Sequence, residues 1–110
     1  MDGYYKSEHL ADFGKIADGK PELGKKFFEY YSAVFADGAL TAREKSLIAL
    51  AVAHAVQCPY CIDAYTGDCQ QKGADFEQMT EALHVAVAIR GGASLVHGMQ
   101  MREKSMKLGM

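Results

Sequence analysis

Two cysteines standing three residues apart, in Cys58-Pro59-Tyr60-Cys61, are the part of this chain best equipped for chemistry. Pro59 has no N–H to give to a helical ladder, and its ring disfavours helical geometry at Cys58, so a helix starts at Pro59 with Cys58 near its N-cap. The free N–H groups of the first turn and the positive end of the helix dipole stabilise a thiolate there, and the spacing lets the two sulfurs form and release a disulfide. On this reading Cys61, inside the first turn, has the lower pKa and reacts first with a peroxide; Cys58 then condenses with the resulting sulfenic acid. Two other readings stay open. As a buried pair the cysteines are small apolar side chains. With two of His54, His84 and His97 they supply zinc donors, although no second Cys pair or paired-His motif accompanies them.

Several residues stand at distances from the pair that chemistry could use. His54 lies one turn before Cys58, and an imidazole is suited to moving protons at neutral pH, although a single His in an apolar helix is often a hydrogen-bonded core residue. Tyr65 lies one turn after Cys61 and places its phenol near that sulfur or simply packs. Glu44 has a sufficient duty as a helix cap. Cys69 is eleven residues beyond Cys58, about 16 Å along a continuous helix, too far to pair with it. His9, His84 and His97 have no spacing that singles them out.

The elements that hold these residues are helical almost throughout. Leu10, Phe13 and Ala17 recur at helical spacing and Gly19 closes a short first helix. Pro21 opens a second, whose stripe is Leu23, Phe27, Tyr31 and Val34 or Phe35, ended by Asp37-Gly38. Thr41 and Glu44 form a capping box for a third helix from about Ala42, apolar nearly all round from Leu47 to Val56. The fourth runs from Pro59 through Ile62, Tyr65 and Cys69 to Gly73. Asp75 with Gln78 starts a fifth carrying Met79, Leu83, Val87 and Arg90; Gly91-Gly92 ends it, and a sixth carries Leu95, Met99, Arg102 and Met106. Helices three and four form an antiparallel hairpin with its corner at Cys58-Pro59, bringing the Glu44-to-Ser46 region toward Tyr65. The fold class is all-α, a single domain of about six helices over residues 1–110.

Composition agrees with one folded domain: 110 residues, 49% hydrophobic and 24% charged, with 2 prolines. A domain of this size hides roughly two-thirds of its unfolded surface, a thin margin that self-association would widen. The third and fifth helices, apolar on most sides and rich in Ala and Gly, point to a homo-oligomer. Lys plus Arg number 12 against 14 Asp plus Glu, with no basic cluster, which speaks against a nucleic-acid partner. No run of eighteen apolar residues spans a membrane, and Met1-Asp2-Gly3-Tyr4-Tyr5-Lys6 lacks the basic-then-apolar order of a secretory signal, so the expected setting is soluble and cytoplasmic. Three cysteines, two of them in one motif, argue against a structural disulfide framework.

The run from Arg43 through Cys61, followed by Gly73-Ala74-Asp75 and Arg90-Gly91-Gly92-Ala93, resembles the carboxymuconolactone decarboxylase and alkylhydroperoxidase D superfamily over roughly residues 20–100. Within it the chain is most similar to peroxidase-like proteins associated with arsenosugar biosynthesis. The resemblance implies an all-helical disulfide reductase or weak peroxidase without metal or flavin, assembled as a trimer or hexamer. Its substrate is a peroxide or a disulfide, and an unidentified protein or small thiol reduces it again. It also implies Cys61 as the nucleophile, Cys58 as the resolving thiol, and Tyr60 as a matching neighbour. The superfamily's proton relay, a Glu twelve residues before the first cysteine and a His four after the second, falls here on Ser46 and Tyr65. His54 or Glu44 would then move the proton. The candidate catalytic set is thus Cys61, Cys58, Tyr60, His54 and Tyr65. The rival is a non-catalytic oligomeric or small-molecule-binding member that has lost the relay; decarboxylation ranks behind both, since the decarboxylating members do not rely on a Cys pair.

Overall fold

The computed structural model describes Gly3 and residues 5–109; Met1, Asp2, Tyr4 and Met110 lie outside the described residues. The chain is all-α, with no strand among the described residues. In order it forms α1 (Glu8–Ala11), a 3-10 helix (Phe13–Gly19), α2 (Pro21–Phe35), α3 (Ala42–Ala55), α4 (Pro59–Gln71) and α5 (Phe76–Lys107). The six pieces match the expected number but are divided differently at both ends.

At the start, the single helix expected around Leu10 to Ala17 is two short pieces, the second in the tighter 3-10 form common in brief connectors. That segment lies directly on α2: a Cβ added at Gly24 would fall 2.2 Å from the Ala17 Cβ, so only glycine permits the approach. At the other end, Gly91-Gly92 does not stop the fifth helix, which runs unbroken to Lys107. Each glycine costs about 1 kcal/mol relative to alanine but keeps its N–H and C=O in the ladder; no proline follows, and Leu, Met, Gln, Arg and Lys carry the helix on.

The hairpin forms as its sequence predicts, and its corner is built from backbone rather than from proline alone. α3 closes in a Schellman motif: the Gln57 N–H reaches the His54 carbonyl at 3.1 Å and the Cys58 N–H reaches the Ala53 carbonyl at 3.0 Å. Gln57 is left-handed there (φ 57°), where glycine is usual. Cys58 is then extended and Pro59 opens α4. Both capping boxes are present, at Thr41/Glu44 and at Asp75/Gln78. Long cations satisfy further carbonyls at helix ends: Lys45 Nζ donates to Val34 and Ala36 at the end of α2, at 2.8 and 2.6 Å, and Arg90 donates to the Ala55 carbonyl at the end of α3. Arg43 ties α3 to the start of α5 through Gln78 Oε1 at 2.6 Å.

The core is small, and sits where α3, α4 and the first turns of α5 meet: Leu50, Cys69, Ala74 and Met79, with Leu47 and Tyr65 against them. From Val87 to Gly109 every residue except Gly98 and Ser105 is exposed. The radius of gyration is 18.9 Å, against about 13 Å for a compact chain of this length. The accessible surface is 8532 Å², against about 6,000 Å² for a folded monomer of this mass.

Candidate functional site

The corner places both cysteines of the pair at the start of α4. Cys58 is the N-cap and its Sγ accepts the Cys61 N–H at 3.3 Å. The two sulfurs, both free thiols, lie 2.7 Å apart, a small rotation from the bond of about 2.05 Å that a disulfide needs. The helix start therefore serves Cys58: the backbone N–H aimed at sulfur belongs to Cys61 but points at its neighbour. Cys61 itself is half-buried. Burial first, then its hydrogen bond with Cys58 and the Cys58 charge, push its thiol up to about 11. The expectation that Cys61, being inside the first turn, has a lowered pKa is thus corrected: its thiol is raised. The first turn holds its side chain against protein rather than over the free N–H groups.

Both sulfurs open on a largely apolar cavity of 760 Å³, walled by α4 through Tyr60 and Ala64, by α2 through Tyr31, and by the N-terminal segment through Lys6, His9, Leu10 and Phe13. That segment is fastened over the pair. Tyr5 stacks obliquely on Tyr60 with ring centres 4.5 Å apart and donates its phenol to the Asp63 carboxylate, a bond that pushes the Tyr5 phenol up to about 12. His9 Nδ1 lies 2.8 Å from the Tyr60 phenol oxygen, and the Lys6 N–H reaches the same oxygen at 3.4 Å. A second, apolar cavity of 410 Å³ lies between α2 and α3, lined by Val34, Phe35, Ile48, Val52 and Val56, and also touches Cys61.

Of the candidates from the sequence, Cys58, Cys61 and Tyr60 share the first cavity. Tyr65 joins them through Tyr31: their hydroxyls share a hydrogen bond, and the Tyr65 ring stacks on Phe35 at 5.2 Å. His54 is not brought to the thiols; its Nδ1 lies 2.9 Å from the Leu50 carbonyl one turn earlier in its own helix, and it lines neither cavity. Glu44 is occupied by the capping box, whose two bonds to Thr41 hold its carboxyl below the usual range. Ser46, at the superfamily's acidic position, is fully buried; its hydroxyl donates to Asp68 Oδ2 at 2.6 Å and receives the Cys69 thiol at 3.4 Å. Burial raises the Asp68 carboxyl, but bonds from Lys72 and Ser46 outweigh it and leave the group below its ordinary value. Sequence reasoning missed Tyr31 and His9. Tyr31 reads as one more residue of an apolar stripe, and nothing near His9 marks it, because both reach the pair only by tertiary packing.

Among the described residues no group of three or more His, Cys, Asp or Glu is placed to hold a metal ion, and no helix is long and apolar enough to cross a membrane. The model of the carboxymuconolactone decarboxylase family matches residues 21–103, and the chain belongs to that family. It is 41% identical over 87 residues to uncharacterized protein 4 of the cox locus of Paracoccus denitrificans, covering 79% of this chain and 78% of that one. A crystal structure of a carboxymuconolactone decarboxylase family protein from Legionella pneumophila superposes with a TM-score of 0.70 at 32% identity, over 94% of this chain and 92% of that chain. Another, from Thermotoga maritima, gives 0.60 at 25% identity, over 91% and 94% of the two chains; that protein carries a suggested part in an antioxidative response. These relatives speak to the family and not to the arsenosugar-associated subgroup.

Proposed function

We propose that Cys58 and Cys61 form a redox-cycling dithiol that reduces a peroxide or a disulfide substrate, becomes a disulfide, and is reduced again by a protein or small-molecule thiol. The observation that carries this reading is the pair itself: two free sulfurs 2.7 Å apart at a helix start, opening together on a cavity of 760 Å³. Helix starts of this kind activate cysteines for exchange. Cys58 is the first attacker, because its sulfur receives the backbone N–H while Cys61 keeps its proton. Once Cys58 is oxidised its charge is gone, two of the three causes holding the Cys61 proton go with it, and Cys61 is released to attack the sulfenic acid. This reverses the order that the superfamily resemblance implies.

The test is thiol-dependent consumption of an organic hydroperoxide, with sulfenic-acid trapping. Wild type turns over. Cys61→Ser forms a trappable sulfenic acid at Cys58 and stops, and Cys58→Ser is inactive. Full turnover by both variants removes the redox reading and leaves a protein that binds small molecules in the cavity.

The working form is a homo-oligomer, a trimer or a hexamer built from it. The chain exposes about 2,500 Å² more than a monomer of its mass should, the scale of an obligate interface. Leu95, Val96, Met99 and Met101 are among the exposed apolar side chains of α5, and Gly91 and Gly92 face open space there, leaving room for a second backbone to approach.

A further inference from the structure

Tyr31 has no evident duty in the apolar stripe of α2 that calls for a hydroxyl; Phe27, Phe28 and Phe35 around it do without one. Its phenol is nevertheless part-buried, lines the cavity with both sulfurs, and is held by the Tyr65 hydroxyl, at the position where the superfamily carries its relay histidine. The acidic relay position is closed to the cavity, since Ser46 is buried against Asp68 and Cys69. A sulfur that cleaves a peroxide expels a strongly basic oxygen, which leaves most readily when a positioned acid protonates it, and the cavity wall is largely apolar.

We propose that Tyr31, oriented by Tyr65, is the proton donor of the dithiol cavity. The proposal rests on the redox reading above. The Cys58 thiolate attacks one peroxide oxygen, forming the S–O bond and breaking O–O; the departing alkoxide takes the Tyr31 proton and leaves as the alcohol. The Tyr31 phenoxide recovers a proton across its hydrogen bond from Tyr65, which is refilled from water. The Cys61 thiol then attacks the Cys58 sulfenic acid, forming the disulfide and releasing water that carries the thiol proton. In sum two thiols and one hydroperoxide give a disulfide, an alcohol and water. Burial first, and then the Cys61, Asp68 and Cys58 charges, raise the Tyr31 phenol above its ordinary value, so it holds its proton through the working pH range until a stronger base arrives.

Tyr31→Phe and Tyr65→Phe remove one oxygen each and keep the rings that pack on Phe35. The reduced protein is mixed in single turnover with an organic hydroperoxide and, separately, with an aromatic disulfide whose thiolate leaves without a proton. Tyr31→Phe should oxidise about 10²-fold more slowly with the hydroperoxide, the usual lower scale for a positioned acid, and at the wild-type rate with the disulfide. Tyr65→Phe should show a smaller loss confined to the same substrate. Across hydroperoxides of increasing leaving-group basicity the Tyr31→Phe rate should fall more steeply than wild type. Equal slowing with both substrates, or none with either, overturns the donor role. A wild-type protein that reacts with the disulfide but not with hydroperoxide also overturns it while keeping the dithiol; reaction with neither removes both.

Discussion

Replacing Cys58 by serine should make Cys61 more acidic, by an amount the structure bounds. The Cys61 thiol stands at about 11 against an ordinary 9.0, from burial, a hydrogen bond with Cys58 and the Cys58 charge, in that order. Burial, as the largest of three, carries at least a third of the rise and survives the substitution, because the serine hydroxyl caps α4 where the Cys58 sulfur did and the helix keeps its start. Only the part of the rise that Cys58 causes can vanish, so the thiol should fall below about 11 and stay above its ordinary 9.0. Each unit of fall raises the thiolate fraction about tenfold near neutral pH, while the weaker nucleophile gives back about threefold of that. The assay is the pH dependence of iodoacetamide alkylation at Cys61, read by peptide mass; Cys69, with none of its surface exposed, stays out of the signal. An unmoved midpoint would mean that Cys58 does not hold the Cys61 proton, and a midpoint below 9.0 would mean that burial does not dominate. The first result removes the argument that oxidation of Cys58 primes Cys61; the second assigns the rise to Cys58 rather than to burial.

Ser46→Ala should cost about 1–3 kcal/mol in chemical denaturation, because it strips a partner from the part-buried Asp68 carboxylate and from the fully buried Cys69 thiol. The same variant should begin acid unfolding at higher pH. A depressed carboxyl stabilises the fold above its unfolded pKa of about 3.9, and loses that contribution as pH falls through its folded value, which Ser46→Ala moves upward. Gln57→Gly should stabilise the protein by about 1 kcal/mol, since a left-handed φ of 57° costs any residue with a Cβ; a destabilised variant would show that the corner does not need that conformation. Sedimentation should find an oligomer at micromolar concentration, and Leu95→Lys, at a side chain 80% exposed in the isolated chain, should shift it toward smaller species; a stable wild-type monomer would refute the assembly.

What the sequence discloses of this fold depends on how local the cause is. The capping boxes at Thr41 and Asp75, the start at Pro21 and the corner before Pro59 are each decided within a few residues, and each is found where the sequence puts it. Gly91-Gly92 misleads because glycine lowers helix stability without removing a hydrogen bond, so a long run of good helix formers on both sides overrides it. The segment from Leu10 to Gly19 misleads for the opposite reason. Its apolar spacing suits a helix, but packing on Gly24 of α2 fixes its path, and that contact has no trace in the spacing.

The site divides in the same way, and the division explains the reversal at Cys61. That two cysteines would share a helix start follows from their spacing and from Pro59, both local. Which sulfur the helix start serves depends on side-chain direction: the N-cap sulfur folds back over the first turn to take the Cys61 N–H, and the Cys61 sulfur is turned into the protein. Its acidity is then set by its tertiary surroundings, and the residues that share its two cavities come from other helices, Tyr31 of α2 on one side and Ile48 and Val52 of α3 on the other. The two substitutions at the relay positions act on this same balance. Ser46 in place of an acid puts no carboxylate at that position to draw the thiol proton, and Tyr65 in place of an imidazole puts a hydroxyl there, hydrogen-bonded to Tyr31. In the dithiol cycle proposed above, such a pair, with no base lining the cavity beside Cys61 among the described residues except His9, would depend on Cys58 for its first step and on the loss of the Cys58 charge for its second.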